Sequence, residues 1–166
     1  KGRLMHVHGL GWHTYTGTRW KEDHYGIAKR RVIATLKRAL ADSLDDSSLR
    51  KDAARCESAS GIAGVLEIAS ALEEFAATVD DLDADPFMVN VANGTLDLRT
   101  GALSTHSPGD RITKVTHAAY QPAASSQLWA DFVAEILPDE QVRAFMQRLV
   151  GSALLGKVRE HVLPIL

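Results

Sequence analysis

The chain has 166 residues, of which 45% are hydrophobic and 24% are charged, and its formal net charge is −2. This composition suits one domain or one domain with an appendage, and the overall charge gives no argument for nucleic-acid binding. No apolar run approaches the ~18 residues of a membrane-spanning helix. The single cysteine, Cys56, excludes an internal disulfide and indicates a reducing, cytoplasmic environment.

The first 24 residues have the pattern of short β-strands. Leu4, His6 and His8 alternate with Met5 and Val7, and aromatic and β-branched residues flank a turn at Thr16-Gly17. Such alternation around a glycine turn is typical of hairpins. We therefore interpret residues 1–24 as an N-terminal β-hairpin segment.

Apolar residues spaced three and four apart predict that residues 25–156 are mainly helical. The expected helices run from Tyr25 to Ala41, Leu49 to Glu57, Gly61 to about Val79, Ser125 or Ser126 to Leu137, and Asp139 to Leu155. On the last two helices, the apolar stripes place Trp129, Phe132, Phe145 and Met146 in the core. Residues 80–86 are expected to form an acidic linker that is extended before Pro86.

A second hairpin is predicted over residues 87–105. Phe87, Val89 and Val91 alternate as a strand, and the turn signals Asn93-Gly94 and Thr100-Gly101 follow. A two-residue hairpin turn requires positive φ angles, which Asn and Gly accept. The strands and helices together predict an α+β fold, predominantly helical, in the form of a helix bundle with appended β-hairpins.

A basic segment is the main candidate binding site. From Arg19 to Arg38, seven Lys and Arg residues stand against two acidic residues, a local charge of +5. Proteins that bind single strands combine cations for the phosphates with aromatic rings for the bases. We therefore predict DNA contacts through Lys29, Arg30, Arg31, Lys37 and Arg38, with Trp20 as a stacking residue. The alternative is a solvated helix face whose aromatic residues lie in the core.

An acidic segment follows it, with seven acidic residues and no Lys or Arg between Glu67 and Asp85. Segments of opposite sign suit head-to-tail contacts between subunits, and an exposed linker is the alternative. Asp81, Asp83 and Asp85 have the spacing of a calcium loop. However, Pro86 and Ala92 stand where that loop requires Gly and Glu, so calcium binding is not expected.

No metal site or catalytic site is predicted from the motifs. His6 and His8, with His13 or His24, could bind zinc, but surface histidines account for the same pattern. No nucleophile elbow, paired metal-binding histidines or phosphate-binding loop occurs in the sequence.

Four segments, in this order, resemble the region that precedes the ATPase domain in primase-helicases of the phage, plasmid and poxvirus type, which are superfamily 3 DNA helicases. They are Trp12 to Trp20, Phe87 to Gly101, Tyr120 to Phe132, and Phe145 to Gly156. The family often has Gly-Tyr where Gly151-Ser152 stands in this chain. The resemblance implies that residues 25–156 are a pre-helicase collar or linker domain, and that residues 157–166 begin an ATPase domain.

The resemblance also implies a parent protein that is an ATP-dependent DNA helicase, often with a primase domain, that uses ATP and Mg²⁺. The 166-residue chain is expected to have no activity and no cofactor of its own. Its expected role is to assist ring assembly, with a hexamer in the full-length parent, and to engage single-stranded or forked DNA beside other replication proteins. The alternative is a protein–protein interaction module that sets the oligomer geometry without contacting DNA.

Overall fold

The computed structural model describes residues 3–157. The chain forms two compact units, and the boundary between them falls between Leu82 and Asp83. Five α-helices and seven β-strands occur in the described part, and the strands form two small sheets, so the fold is mixed α+β as predicted. The predominantly helical bundle with appended hairpins is not confirmed, because each unit contains a sheet of its own.

The domain boundaries proposed from the sequence stay a prediction. The boundary at residue 24 falls inside the first unit, between a strand and a helix that belong to the same compact body. The segment assigned to the start of an ATPase domain, residues 157–166, lies outside the described residues except for Lys157.

The first unit contains a four-stranded sheet. Its strands are β1 (Leu4–Val7), β2 (Gly11–Tyr15), β3 (Trp20–Glu22) and β4 (Ala76–Ala77), in the order β3-β2-β1-β4. The first three are antiparallel neighbours, as the sequence predicts, and β4 runs parallel to β1. The core lies on one face of this sheet, where Met5, Val7, Trp20 and Ala77 are buried. Strand alternation places these residues on the same side.

Three helices complete the first unit: α1 (Ile27–Asp42), α2 (Ser47–Cys56) and α3 (Ala59–Ser70). Each of them contacts the other two. The carboxylate of Asp46 accepts hydrogen bonds from the N–H groups of Ser48 and Leu49, and the hydroxyl of Ser58 accepts one from Gly61. Because these are the groups left unpaired at a helix start, the two residues determine where α2 and α3 begin.

The predicted extension of α3 to Val79 is wrong, because the helix ends at Ser70. The chain then turns, and the N–H of His6 donates to the carbonyl of Phe75 while the N–H of His8 donates to the carbonyl of Ala77. Ala76 and Ala77, which continue the apolar stripe in the sequence, therefore pair with β1 as a strand. A contact so distant in sequence leaves no signal in the local periodicity.

The second unit contains the predicted hairpin, within a three-stranded antiparallel sheet. Its strands are β5 (Met88–Val91), β6 (Gly94–Asp97) and β7 (Ala102–Ser104), with β6 in the centre. The turn before β7 is confirmed at Gly101, which has a φ of 70°. The turn before β6 differs by one residue from the prediction. Because Val91 pairs with Gly94, the loop is Ala92-Asn93.

The side chain of Asn93 explains this shift. Its amide nitrogen donates to the carbonyl of Tyr120 at 2.9 Å, and its amide oxygen accepts from the N–H of Tyr120 at 2.9 Å. Ala92 donates its own N–H to the carbonyl of Ala118. Among the non-glycine residues described, positive φ angles occur at Asp83 and Arg111 only, so neither loop residue takes the conformation that an Asn-Gly turn predicts.

The chain continues into two helices, α4 (Gln127–Ile136) and α5 (Glu140–Ser152), which begin at caps formed by Ser126 and Asp139. The two helices contact each other. The prediction that Trp129, Phe132, Phe145 and Met146 lie in a core is wrong for the described part of the chain. No residue of either helix is buried there, and Trp129 is 65% exposed. Each helix in residues 3–157 is too short or too polar to span a bilayer.

Candidate nucleic-acid interface

The start of α1 is held by an acidic side chain that precedes it. The carboxylate of Asp23 accepts hydrogen bonds from the N–H groups of Ile27 at 2.8 Å and Ala28 at 2.7 Å. The N–H of Asp23 donates in turn to the carbonyl of Trp12 in β2. A carboxylate at this end stabilises the helix because it accepts from free N–H groups and its negative charge is attracted to the positive end of the helix dipole. Asp23 therefore fixes α1 relative to the sheet of the first unit.

The five predicted cations, Lys29, Arg30, Arg31, Lys37 and Arg38, are all exposed on α1. Two pairs are seven residues apart, Arg30 with Lys37 and Arg31 with Arg38. Seven residues are about two helical turns, so each pair forms a row with its members ~10 Å apart along the axis. The rows lie on either side of the exposed Ala34. The helix turns Ala28, Val32 and Leu36 away from them, toward the protein.

These cations have few polar partners in the described chain. Within residues 3–157, none of the five forms an ion pair with a carboxylate. Arg30 makes one neutral contact, in which its guanidinium donates to the carbonyl of Tyr25 at 2.6 Å. A guanidinium has five N–H donors, so Arg30 keeps others for a ligand. The surface therefore combines uncompensated positive charge with free donors, which is the arrangement that binds phosphates.

The predicted stacking residue, Trp20, does not lie on this surface. Its side chain is 4% exposed and packs in the core with Met5, Val7 and Ala77, while its ring lies 5.6 Å from that of Tyr15. Trp20 pairs directly with Tyr15 across the antiparallel strands, which places both rings on the core face. A base has no free face of this indole to stack on, so the assignment of Trp20 is wrong.

Tyr25 is the aromatic residue that the structure exposes beside the cations. The sequence predicted that the first helix begins at Tyr25, but Tyr25 precedes α1 and is 75% exposed. The signal for this position is Gly26, which has a φ of 65° and separates Tyr25 from the helix. Trp12 is half-buried instead, and its ring contacts both His6 and Phe75.

The acidic segment divides between the two units. In the first unit Glu67, Glu73, Glu74 and Asp80 are exposed, and the carboxylate of Asp81 accepts from the N–H and hydroxyl of Thr78. In the second unit the carboxylate of Asp83 accepts from the N–H and hydroxyl of Thr113. Each of these hydrogen bonds lies within one unit, so the carboxylates of Asp81 and Asp83 are ordered within their own units.

Asp85 forms the one strong ion pair of this segment within the described residues. Arg99 donates to its carboxylate at 2.6 Å and also lies 4.3 Å from the ring centre of Phe87. The hydrogen bond from Arg99, then that from the N–H of Phe87, hold the pKa of Asp85 below its usual value of 3.8. The same pair raises the pKa of Arg99. Both side chains are nearly half exposed, so solvent screens this interaction strongly.

The histidines do not converge on a metal site. His6 lies opposite Trp12, whereas His13 lies opposite Met5, so the two imidazoles point to different faces of the sheet. His13 is buried and hydrogen-bonds the carbonyl of Gly11 through Nδ1. His24 lies 3.7 Å from Glu22. Across residues 3–157, no group of three His, Cys, Asp or Glu side chains is placed to hold a metal ion.

The comparison with known families agrees with the resemblance in the first three of the four segments. Residues 1–138 match the family described as D5 N terminal like. The chain belongs to this family. It is the N-terminal domain of D5-like primase-helicase proteins of phages and plasmids. The match includes the basic helix, the acidic segment, both sheets and α4, and it ends before α5. No curated protein is significantly similar to the chain.

Proposed function

We propose that this N-terminal module of a primase-helicase binds single-stranded DNA through the exposed cations of α1. Lys29, Arg30, Arg31, Lys37 and Arg38 supply the phosphate contacts. The module then guides the strand beside a helicase core that this sequence does not contain. The observation that carries the proposal is the pair of basic rows on α1, exposed and without carboxylate partners in the described chain.

The expected strength of this interaction follows from counterion release. For a protein that binds single-stranded DNA, the logarithm of the association constant K falls by about 0.7 per phosphate contact for each tenfold rise in salt concentration. Five contacts therefore give a slope of about −3.5, and the loss of two contacts reduces it by about 1.4. At ~0.1 M salt, the loss of two contacts corresponds to about 25-fold weaker binding if the other terms stay the same.

The test is an anisotropy titration of a labelled oligothymidine with the double variant Arg31→Ala/Arg38→Ala. Neither side chain forms an ion pair in the described chain, and both belong to one row. The matched control is Arg50→Ala/Lys51→Ala, which removes two exposed cations from α2 in the same unit. We expect about 25-fold weaker binding for the first variant and near wild-type binding for the second. Equal binding by both variants would exclude α1 as the DNA site.

A second candidate role is self-association, which the exposed acidic side chains favour. Glu67, Glu73, Glu74 and Asp80 give the first unit a negative segment in addition to its basic helix. Surfaces of opposite sign on one subunit support head-to-tail contacts, which close into rings. Sedimentation velocity at low salt tests this role. We expect Glu73→Gln/Glu74→Gln to shift the protein toward monomer. An unchanged distribution of oligomeric states would show that the acidic segment is not part of the interface.

A further inference from the structure

Tyr25 is a large aromatic side chain that the first unit leaves in solvent. It is 75% exposed, whereas Trp20 is in the core and Trp12 lies against two other rings. In the described chain, the ring of Tyr25 forms no aromatic pair and no cation–π contact. Most of the surface of this residue is therefore accessible to a planar ligand.

The backbone around this ring is fixed from both sides. Before it, Asp23 is tied to Trp12 through its N–H and to the start of α1 through its carboxylate. After it, Arg30 reaches back along the helix and donates to the carbonyl of Tyr25. A residue whose backbone is already ordered loses less conformational entropy when its side chain binds a ligand. The contact also places a guanidinium of the basic rows next to Tyr25.

We infer that Tyr25 stacks on an unpaired base of single-stranded DNA whose phosphates follow the cations of α1. This inference rests on the proposed function and deepens it, because it states what distinguishes a single strand from a duplex. Base–aromatic stacking is tolerant of sequence, since every base has a π-face. The bases of a duplex are already stacked on their neighbours, so a duplex offers only phosphates to this surface.

The cations of α1 and the ring of Tyr25 contribute to DNA binding in different ways. The cations determine the salt dependence, because they release counterions. The ring of Tyr25 carries no charge, so its removal lowers affinity and leaves the salt slope unchanged. The loss of one stacked base corresponds to about tenfold weaker binding, within a range of about 5-fold to 150-fold.

The experiment compares Tyr25→Ala and Tyr25→Phe with the wild-type chain on three labelled ligands. These are an oligothymidine, an abasic oligonucleotide of the same length and a duplex. We expect Tyr25→Ala to bind oligothymidine about tenfold more weakly with the wild-type salt slope, and to bind the abasic strand and the duplex as the wild type does. Tyr25→Phe keeps the ring and is expected to bind all three ligands like the wild type.

The outcomes distinguish this inference from the proposed function. If Tyr25→Ala binds oligothymidine as tightly as the wild type, while Arg31→Ala/Arg38→Ala weakens binding, stacking by Tyr25 is overturned and the DNA site on α1 remains. If Tyr25→Ala weakens binding to the abasic strand to the same extent, the residue acts without stacking and the inference also fails. If the wild type shows no salt-dependent binding to any ligand, the proposed function fails and this inference fails with it.

Discussion

Gly94 begins the central strand of the second sheet, at the point where the neighbouring backbone comes closest. A Cβ atom at this position would overlap the carbonyl oxygen of Ser104 and lie 3.0 Å from Cδ1 of Leu103. Ordinary van der Waals contacts of such an atom lie between 3.4 and 4 Å. Gly94→Ala is therefore expected to push β7 away from β6, where Thr95 pairs with Ser104.

The expected cost is about 3 kcal/mol of unfolding free energy. Overpacking a well-packed site costs about 1–3 kcal/mol, and the upper end applies at Gly94 because the obstructing atom belongs to the backbone. A side chain could rotate away, whereas the carbonyl of Ser104 can move only if the strand moves. In a unit of this size each kcal/mol lowers the melting temperature by ~4–8 °C, so about 3 kcal/mol gives ~12–24 °C.

Thermal unfolding followed by circular dichroism, with amide exchange of β6 as a local reporter, measures this effect. The matched control is Gly151→Ala in α5 of the same unit, where a Cβ atom meets nothing within 4 Å. That substitution is expected to stabilise the helix by about 0.5 kcal/mol, because alanine is the better helix former. If Gly94→Ala has the melting temperature of the wild type, or if both variants shift the melting temperature equally, the close approach of β7 to Gly94 is refuted.

Three further predictions follow from single contacts. Asn93→Ala removes two hydrogen bonds to Tyr120 and is expected to lower the free energy of unfolding by about 1–3 kcal/mol. The amide of Tyr120 should then exchange faster, and unchanged exchange would contradict the two hydrogen bonds. Trp20→Ala empties the core of the first unit and is expected to cost about 3–5 kcal/mol in urea unfolding, and a cost below ~1 kcal/mol would contradict its burial. Because the pKa of Asp85 is lowered, its contribution to stability is present above pH 3.8 and is lost as the pH falls through the lowered value. Asp85→Asn should therefore reduce the acid dependence of unfolding in that range, and an identical pH profile would count against the ion pair with Arg99.

The parts of the fold that the sequence predicted are those with local causes. Alternating residues around Thr16-Gly17 predicted the hairpin of β2 and β3. The hairpin of β5 and β6 was also predicted, although its loop shifted by one residue. That shift depends on Tyr120, which lies 27 positions beyond Asn93, so no turn rule for neighbouring residues contains it.

The errors come from contacts between distant segments and from missing partners. Helical periodicity continued past Ser70, but pairing with β1 drew Ala76 and Ala77 into a sheet. Apolar stripes on α4 and α5 predicted a core, yet no described residue of either helix is buried, and Trp129 is 65% exposed. Periodicity shows which face of a helix is apolar, but not whether anything covers that face.

The sequence predicted the exposure of the cations on α1 but not the exposure of the nearby aromatic residues. All five cations of α1 are exposed as expected, because the opposite face of an amphipathic helix must pack. Trp20 is buried by a strand pairing, and Tyr25 is exposed because Gly26 separates it from the helix. Gly26 is visible in the sequence, and its position directly before the helical stripe could have indicated that Tyr25 lies outside it.

The slope of log K against log salt for binding to oligothymidine measures how many phosphates α1 contacts. It is measured between about 50 and 200 mM salt for the wild type, for Arg31→Ala/Arg38→Ala and for the α2 control Arg50→Ala/Lys51→Ala. The five cations of α1 predict a slope of about −3.5 for the wild type and the control, and about −2.1 for the α1 variant. A slope near zero for the wild type, or the same slope for all three proteins, would contradict the claim that α1 binds the phosphates of single-stranded DNA.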